Sequence, residues 1–256
     1  MNKNTNSFEE FMNVVRKVRQ ECPWDREQTH ASLRQSFIEE VYEAIESIDA
    51  NNLQELRNEL GDVLLHVALQ SVIAEEHNTF TIDDVLVSIT EKLIRRHPHV
   101  FGEQKITSSE EQSLNWEKIK ISEGRTSVVE GVPQHLPALQ RAQRIQEKAS
   151  KVGFDWKHKD DVWKKVEEEL AEMHTALDGQ HQKKIEEEFG DVLFSLVNYA
   201  RFLKINPEAV LQATTNKFLQ RFRYIENELT KQEKDIYATS LEEMDMLWNE
   251  AKKSTK

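Results

Sequence analysis

Cysteine is almost missing: Cys22 stands alone in 256 residues, so no disulfide can close within the chain. Glycine and proline are nearly as scarce, at 7 and 5. That starves turns and sheets and, with charged residues at 31%, suits long amphipathic helices joined by short loops. Positive charge is in deficit, with 34 Lys and Arg against 46 Asp and Glu for a formal charge of −12. A duplex-binding protein needs a cationic face to displace counterions, so no nucleic-acid partner is expected, and any phosphate ligand must arrive with a metal. Long apolar runs are lacking too. The most apolar stretch, Val63 to Ala74, is interrupted by His66, Gln70 and Ser71 and is too short to cross a bilayer. The first twenty residues carry charges throughout, where a signal peptide would have an apolar stretch. The expectation is an all-α protein of the cytoplasm with no membrane span.

What is present is a repeat. An offset of 129 takes Glu39, Glu40 and Glu43 onto Glu168, Glu169 and Glu172, and takes Glu59, Gly61, Asp62, Val63 and Leu64 onto Glu188, Gly190, Asp191, Val192 and Leu193. Small changes of offset then match Lys92 and Arg96 to Lys217 and Arg221, and Glu110, Glu111, Trp116 and Lys120 to Glu242, Glu243, Trp248 and Lys252. Acidic helices could align by accident, but Gly, Trp and Lys positions in the same order could not easily do so. Gly124, Gly131, Pro133 and Pro137 crowd the stretch between the copies. The expected organisation is a helical module over 1–123, a linker over 124–135 and a second module over 136–256.

Within the first copy, apolar residues recur at helical spacing: Leu33, Phe37, Val41, Ala44, Ile45 and Ile48, then Leu53, Leu56, Leu60, Val63, Leu64 and Val67. The polar break at Asp49 to Asn52 makes these two helices a hairpin. The second copy repeats it through Val162, Val166, Leu170, Met173 and Leu177, a break at Asp178 and Gly179, and Ile185, Phe189, Val192, Leu193 and Leu196. A leading helix precedes each hairpin and runs into an aromatic turn, Cys22-Pro23-Trp24-Asp25 or Gly153-Phe154-Asp155-Trp156. Asn206 before Pro207 reads as an N-cap, and Ser240 with Glu243 as a capping box. Short amphipathic helices of this kind often need a partner surface, which makes a homodimer plausible.

Residues three or four apart share a helix face, so Glu40 with Glu43 and Glu59 with Asp62 can converge from the two helices of the hairpin. Four carboxylates cannot all ionise cheaply together, and a hard divalent cation removes the repulsion. With oxygen donors alone and neither Cys nor His at matching positions, magnesium or manganese is favoured over zinc. A lone Glu-x-x-Glu is ordinarily a solvated face. Here the acids border an apolar stripe, and a mid-helix glycine, Gly61 or Gly190, recurs between them. Such a glycine costs about 1 kcal/mol relative to Ala and is better accepted where a helix or a ligand approaches closely.

The pattern Glu-Glu-x-x-Glu, a spacer, then Glu-x-x-Asp resembles the signature of the all-α nucleoside triphosphate pyrophosphohydrolases. These include the MazG family and the dimeric dUTPases. The resemblance is closer to tandem bacterial MazG proteins. It is carried by Cys22-Pro23-Trp24-Asp25, by Arg95-Arg96-His97-Pro98-His99-Val100-Phe101, by Val152 to Trp156 and by Glu188-Phe189-Gly190-Asp191. It implies magnesium-dependent hydrolysis of nucleoside triphosphates such as ATP between the α and β phosphates, releasing a monophosphate and pyrophosphate. Glu169, Glu172, Glu188 and Asp191 match the family's metal ligands, and Glu40, Glu43, Glu59 and Asp62 stand in the same places in the first copy. Glu168 or Glu169 would partner the attacking water. Lys217 and Arg221 would meet the outer phosphates, Trp248 would lie against the nucleotide, and Lys120 would reach it from the connecting region. The denser acid runs, Arg221, Arg223 and Trp248 favour the second module as the principal catalytic unit.

His97 and His99, with Pro98 between them, read as structural and stay outside the metal site. A di-iron carboxylate bundle would use Glu-x-x-His, but Glu43 and Glu172 stand where its histidines belong. The alternative is a non-catalytic module that binds nucleotide or dimerises.

Overall fold

A computed structural model describes residues 7–103, 108, 111–112, 115–116, 119, 123–124 and 126–254. Every regular element among them is helical. The chain divides into two compact units, Met1–Thr107 and Ser108–Lys256.

The first unit contains α1 (Ser7–Glu21), α2 (Pro23–Glu27), α3 (Arg34–Asp49), α4 (Leu53–Glu76), α5 (Ile82–Arg96) and α6 (Pro98–Phe101). Helices α3 and α4 form the expected hairpin, broken at the polar residues foreseen for it. Asn51 adopts a left-handed φ of 54° and the Asn52 side chain accepts from the Glu55 N–H at 3.2 Å, so the turn ends one helix and caps the next. A capping box starts α5, with Thr81 Oγ1 accepting from the Asp84 N–H and Asp84 Oδ2 accepting from the Thr81 N–H.

The core of this unit gathers Met12 and Val15 of α1, Leu33, and Ala68, Leu69, Val72 and Ile73 of α4, with Ile82. Arg19, itself buried, fastens α1 to α4 through a two-pronged pair with Glu76, both contacts at 2.8 Å. It also donates to the carbonyls of Asp25 and Gln28, which ties down the Cys22 to Asp25 turn. Not all of the apolar stripe is covered. Val41, Ile45 and Ile48 of α3 and Leu53, Leu60 and Leu64 of α4 are exposed on the chain by itself.

The second unit contains α7 (Ala138–Ser150), α8 (Lys159–Asp178), α9 (Gln182–Phe202), α10 (Pro207–Lys231), a 3₁₀ turn (Ile236–Ala238) and α11 (Leu241–Ser254). Helices α8 and α9 repeat the hairpin, with Gln180 in the left-handed region. Asn206 caps α10 as expected, accepting from the Ala209 N–H at 3.2 Å. Ser240 Oγ accepts from the Glu243 N–H, while the Glu243 carboxylate pairs with Lys234. Val162, Val166 and Ala176 are buried on α8, and Ile225, Leu229 and Leu247 join α10 to α11. In the 124–135 stretch, the carbonyls of Val128 and Glu130 accept from Lys148 Nζ of α7, each at 3.2 Å.

Among the described residues no helix is long and apolar enough to cross a membrane.

Candidate active site

The hairpins bring the acids together. In the first unit Glu40 and Glu43 of α3 meet Glu59 of α4, each offering an oxygen within 4.8 Å of the others. In the second, Glu169 and Glu172 of α8 meet Glu188 of α9 within the same limit. Asp62 and Asp191 are not in these triplets but stand close enough to act on them electrostatically. Glu59 and Glu169, one on each hairpin, are buried.

Three of these carboxyls are held above their ordinary value by burial and by neighbouring acids, although Glu188 also lies 3.9 Å from Lys184 Nζ. Burial first, then a hydrogen bond with Glu55 and the nearby Glu43, push Glu59 up to about 6. Burial, then Asp62 and Glu43, raise Glu40, and burial, then Glu172, raise Glu188. Each triplet offers oxygen donors alone, so a hard divalent cation fits both.

The second cluster carries a cation that the first lacks at the same place. Lys165 Nζ lies 2.6 Å from Glu168 Oε1 and 2.8 Å from Glu169 Oε1, and these two hydrogen bonds raise its pKa. The residue 129 positions earlier is Ser36. Glu168 is turned outward and more exposed than Glu169, which sits inside the cluster.

Beside the second cluster opens a cavity of about 280 Å³, bordered by Lys165, Glu169 and Asp191. Phe154 and Trp156 of the aromatic turn form part of its wall, and Gln146, Asn198 and Arg201 supply polar groups. The Phe154 to Trp156 motif has no role that the sequence alone assigns, and no motif or spacing marks Gln146, Asn198 and Arg201. The legible signal was the acid in that motif, since Asp155 is the ion-pair partner of Arg201.

Lys217 and Arg221 share a face of α10 one turn apart. The Arg221 guanidinium lies 5.6 Å from the centroid of the Trp248 ring, and its Nε is buried without an acceptor. Trp248 also packs on Phe218 at 5.0 Å and against the core formed by Ile225, Leu229 and Leu247. None of Lys217, Arg221 and Trp248 lines the cavity. Lys120 lies outside the described residues. Lys92 and Arg96 occupy the last turns of α5, and the His97 ring is bound to the Leu93 carbonyl at 2.7 Å, a structural contact. Among the described residues no close helix approach accounts for Gly61 or Gly190, since a Cβ on either glycine would meet nothing within 4 Å there.

Comparison with known proteins places these features in a family. Residues 28–101 and 158–225 match the MazG nucleotide pyrophosphohydrolase domain, so both hairpins and all eight acids fall within the matched segments. The chain is 45% identical to the nucleoside triphosphate pyrophosphohydrolase/pyrophosphatase MazG of Thermotoga maritima, over 96% of this chain and 95% of that one. It is 37% identical to the nucleoside triphosphate pyrophosphohydrolase of Escherichia coli, over 97% of this chain and 98% of that one. With YabN of Bacillus subtilis it shares 46% identity, over 96% of this chain and 52% of that longer one.

Proposed function

Because the chain belongs to the MazG nucleotide pyrophosphohydrolase family, we propose that it hydrolyses ribo- and deoxyribonucleoside triphosphates with magnesium, giving a nucleoside monophosphate and pyrophosphate. The observation that carries this reading is the meeting of Glu169 and Glu172 with Glu188 across one hairpin. Three carboxylates converging from the two helices of one hairpin are what a magnesium triphosphate requires of its host.

In this reading Glu169, Glu172, Glu188 and Asp191 hold the magnesium, for which manganese can substitute. When bound, the ion supplies the positive charge that draws in the phosphates and offsets the charge that grows on them during attack. Glu168 or Glu169 orients the water and takes its proton. Lys165 steadies that pair, since its ammonium already bridges both carboxylates. Lys217 and Arg221 meet the outer phosphates, the orphaned Arg221 Nε finding its acceptor there, and Trp248, whose ring face holds the Arg221 guanidinium, lies against the nucleotide. Lys120 would reach the nucleotide from the connecting region.

The second module is the principal catalytic unit. In the first, Glu40, Glu43, Glu59 and Asp62 bind a cation with weaker turnover or none. The exposed apolar residues of α3 and α4 are covered in a homodimer, and the protein works in the cytoplasm.

The test is to incubate the purified protein with each of the eight common nucleoside triphosphates and magnesium and to separate the products. Monophosphate with pyrophosphate is expected. Diphosphate with orthophosphate would mean that a different bond is cut and would end this account.

A further inference from the structure

We propose that Lys165 and Lys184 serve the second acidic cluster as tethered counter-ions that an incoming metal must displace, so that the first cluster, which has neither, takes up a divalent cation at lower free metal. The proposal rests on the pyrophosphohydrolase reading above, in which both clusters hold a cation, and adds to it the order in which they fill.

The two hairpins carry the same acids but not the same charge. Glu40, Glu43, Glu59 and Asp62 match Glu169, Glu172, Glu188 and Asp191 without change of type, but the same 129-residue offset takes Lys165 to Ser36 and Lys184 to Glu55. The first exchange removes a positive charge. The second replaces a positive charge with a negative one.

In the second unit both lysines stand one helical turn before an acid of the triplet. The Lys165 ammonium lies 2.8 Å from Glu169 Oε1 as well as 2.6 Å from Glu168 Oε1, and Lys184 approaches Glu188 Oε1 to 3.9 Å. An exposed pair of this spacing contributes little, because water screens it. Here the carboxylate end is shielded, with only 10% of the Glu169 side chain and 12% of the Glu188 side chain exposed. The lysine side chains are 35% and 58% exposed, so each ammonium can swing out into water when a stronger charge takes its place.

In the first unit the matching positions add to the negative charge. Glu55 hydrogen-bonds Glu59 and, with Glu43 and Glu46, lines a cavity of about 320 Å³ at the turn end of the hairpin. A hydrogen bond between two carboxyl groups requires that one of them hold a proton, which stands in for the absent ammonium. Among the described residues that act on Glu40 and Glu59, the group of opposite sign is His66, an imidazole stacked on Phe37.

A divalent ion entering the first cluster therefore meets oxygens with no ammonium to move. One entering the second must part Lys165 from Glu169 and Lys184 from Glu188, and it then stays near both positive charges. A magnesium triphosphate brings negative charge along with the ion and offsets that repulsion. At low free metal the first cluster is filled, while the second receives its ion together with the substrate.

The experiment titrates the full chain with manganese in the absence of nucleotide, at a pH above the value of about 6 held by Glu59, and follows free ion by electron paramagnetic resonance. Binding removed by Glu43→Ala should be about tenfold tighter than binding removed by Glu172→Ala, the scale set by two ion pairs that must be parted. Lys165→Met with Lys184→Met should tighten the weaker binding about tenfold and leave the stronger unchanged. Ser36→Lys with Glu55→Lys should weaken the stronger, and circular dichroism checks that each variant keeps its helicity. At manganese levels that fill only the first cluster, α,β-methylene-ATP should make the chain retain more manganese through gel filtration. Stronger binding that disappears with Glu172→Ala, weaker binding unmoved by the lysine substitutions, or retention unchanged by the analogue overturns the proposal while leaving pyrophosphate release intact. Manganese bound in the expected order without pyrophosphate release from any triphosphate overturns the hydrolase reading alone.

Discussion

Arg201 grips Asp155 with both arms of its guanidinium, Nη1 lying 2.8 Å from Oδ2 and Nη2 2.5 Å from Oδ1. The pair joins residues 46 apart in sequence and fastens the aromatic turn to α9 at the cavity wall. Both side chains are largely shielded from water, so the contact is worth more than a surface ion pair. Asp155→Ala should lower stability by about 2 kcal/mol in urea denaturation, the scale of a hydrogen bond to a charged group. It should also raise KM for nucleotides more than it lowers kcat. An unchanged KM would detach the turn from substrate binding.

The two acidic triplets predict unequal consequences. Glu172→Ala or Asp191→Ala should reduce pyrophosphate release at least about 100-fold, the upper end of what even outer-shell partners of a metal cost. Circular dichroism should show helicity nearly unchanged. Glu43→Ala and Asp62→Ala should leave most turnover in place while weakening magnesium binding, as measured by titration calorimetry. Equal loss in both sets would give the first module a full share of catalysis.

Proton affinity makes stability depend on pH in a stated direction. Glu59 is pushed from an ordinary value of 4.5 up to about 6 by burial and by its acidic neighbours. Between those values the folded chain holds more protons than the unfolded chain, so the contribution of Glu59 to stability declines as pH rises through that window. Glu76 works oppositely. The hydrogen bond with Arg19 holds its carboxyl below 4.5, so its stabilisation is present above that value and is lost as pH falls further. With chelator present, Tm should therefore decline from about pH 5 to pH 7 through the Glu59 contribution. Glu59→Gln should flatten the decline, and magnesium should raise Tm more at pH 7 than at pH 5. A Tm indifferent to magnesium at both values would remove the cation from the first cluster.

Gly190 separates helix propensity from function. A Cβ there would meet nothing within 4 Å among the described residues, so Gly190→Ala should stabilise α9 by about 1 kcal/mol through propensity alone. Activity lost alongside a raised Tm would mean that a ligand or a second copy approaches that point. Gly61→Ala serves as the matched control in α4.

Much of this architecture was legible because it is written locally. Both hairpins follow from apolar spacing and from polar breaks that the structure places at residues 50–52 and 179–181, and the Asn206 cap follows from one residue and its proline. The triplets were legible because their members lie three residues apart on one helix and at one fixed distance across a short turn. The cavity was not. Gln146, Phe154 and Arg201 come from separate elements, and an empty space depends on what neighbouring side chains leave unfilled, which no spacing records. Burial is not legible for a related reason: Val41, Ile45 and Leu60 have the periodicity of a core but are exposed on the single chain. Periodicity shows that a face is apolar without saying what covers it.

At the 129-residue offset, Leu69 and Val72 of the first unit's core stand where Asn198 and Arg201 line the second unit's cavity, and that exchange bears on how such a chain could change over time. A lone hairpin that hollowed out its interior would give up cohesion and risk collapse with each substitution. Duplication relaxes that conflict: one copy keeps its oily filling and a dependable fold, while its sibling is free to trade filling for a mould into which a small molecule can fit.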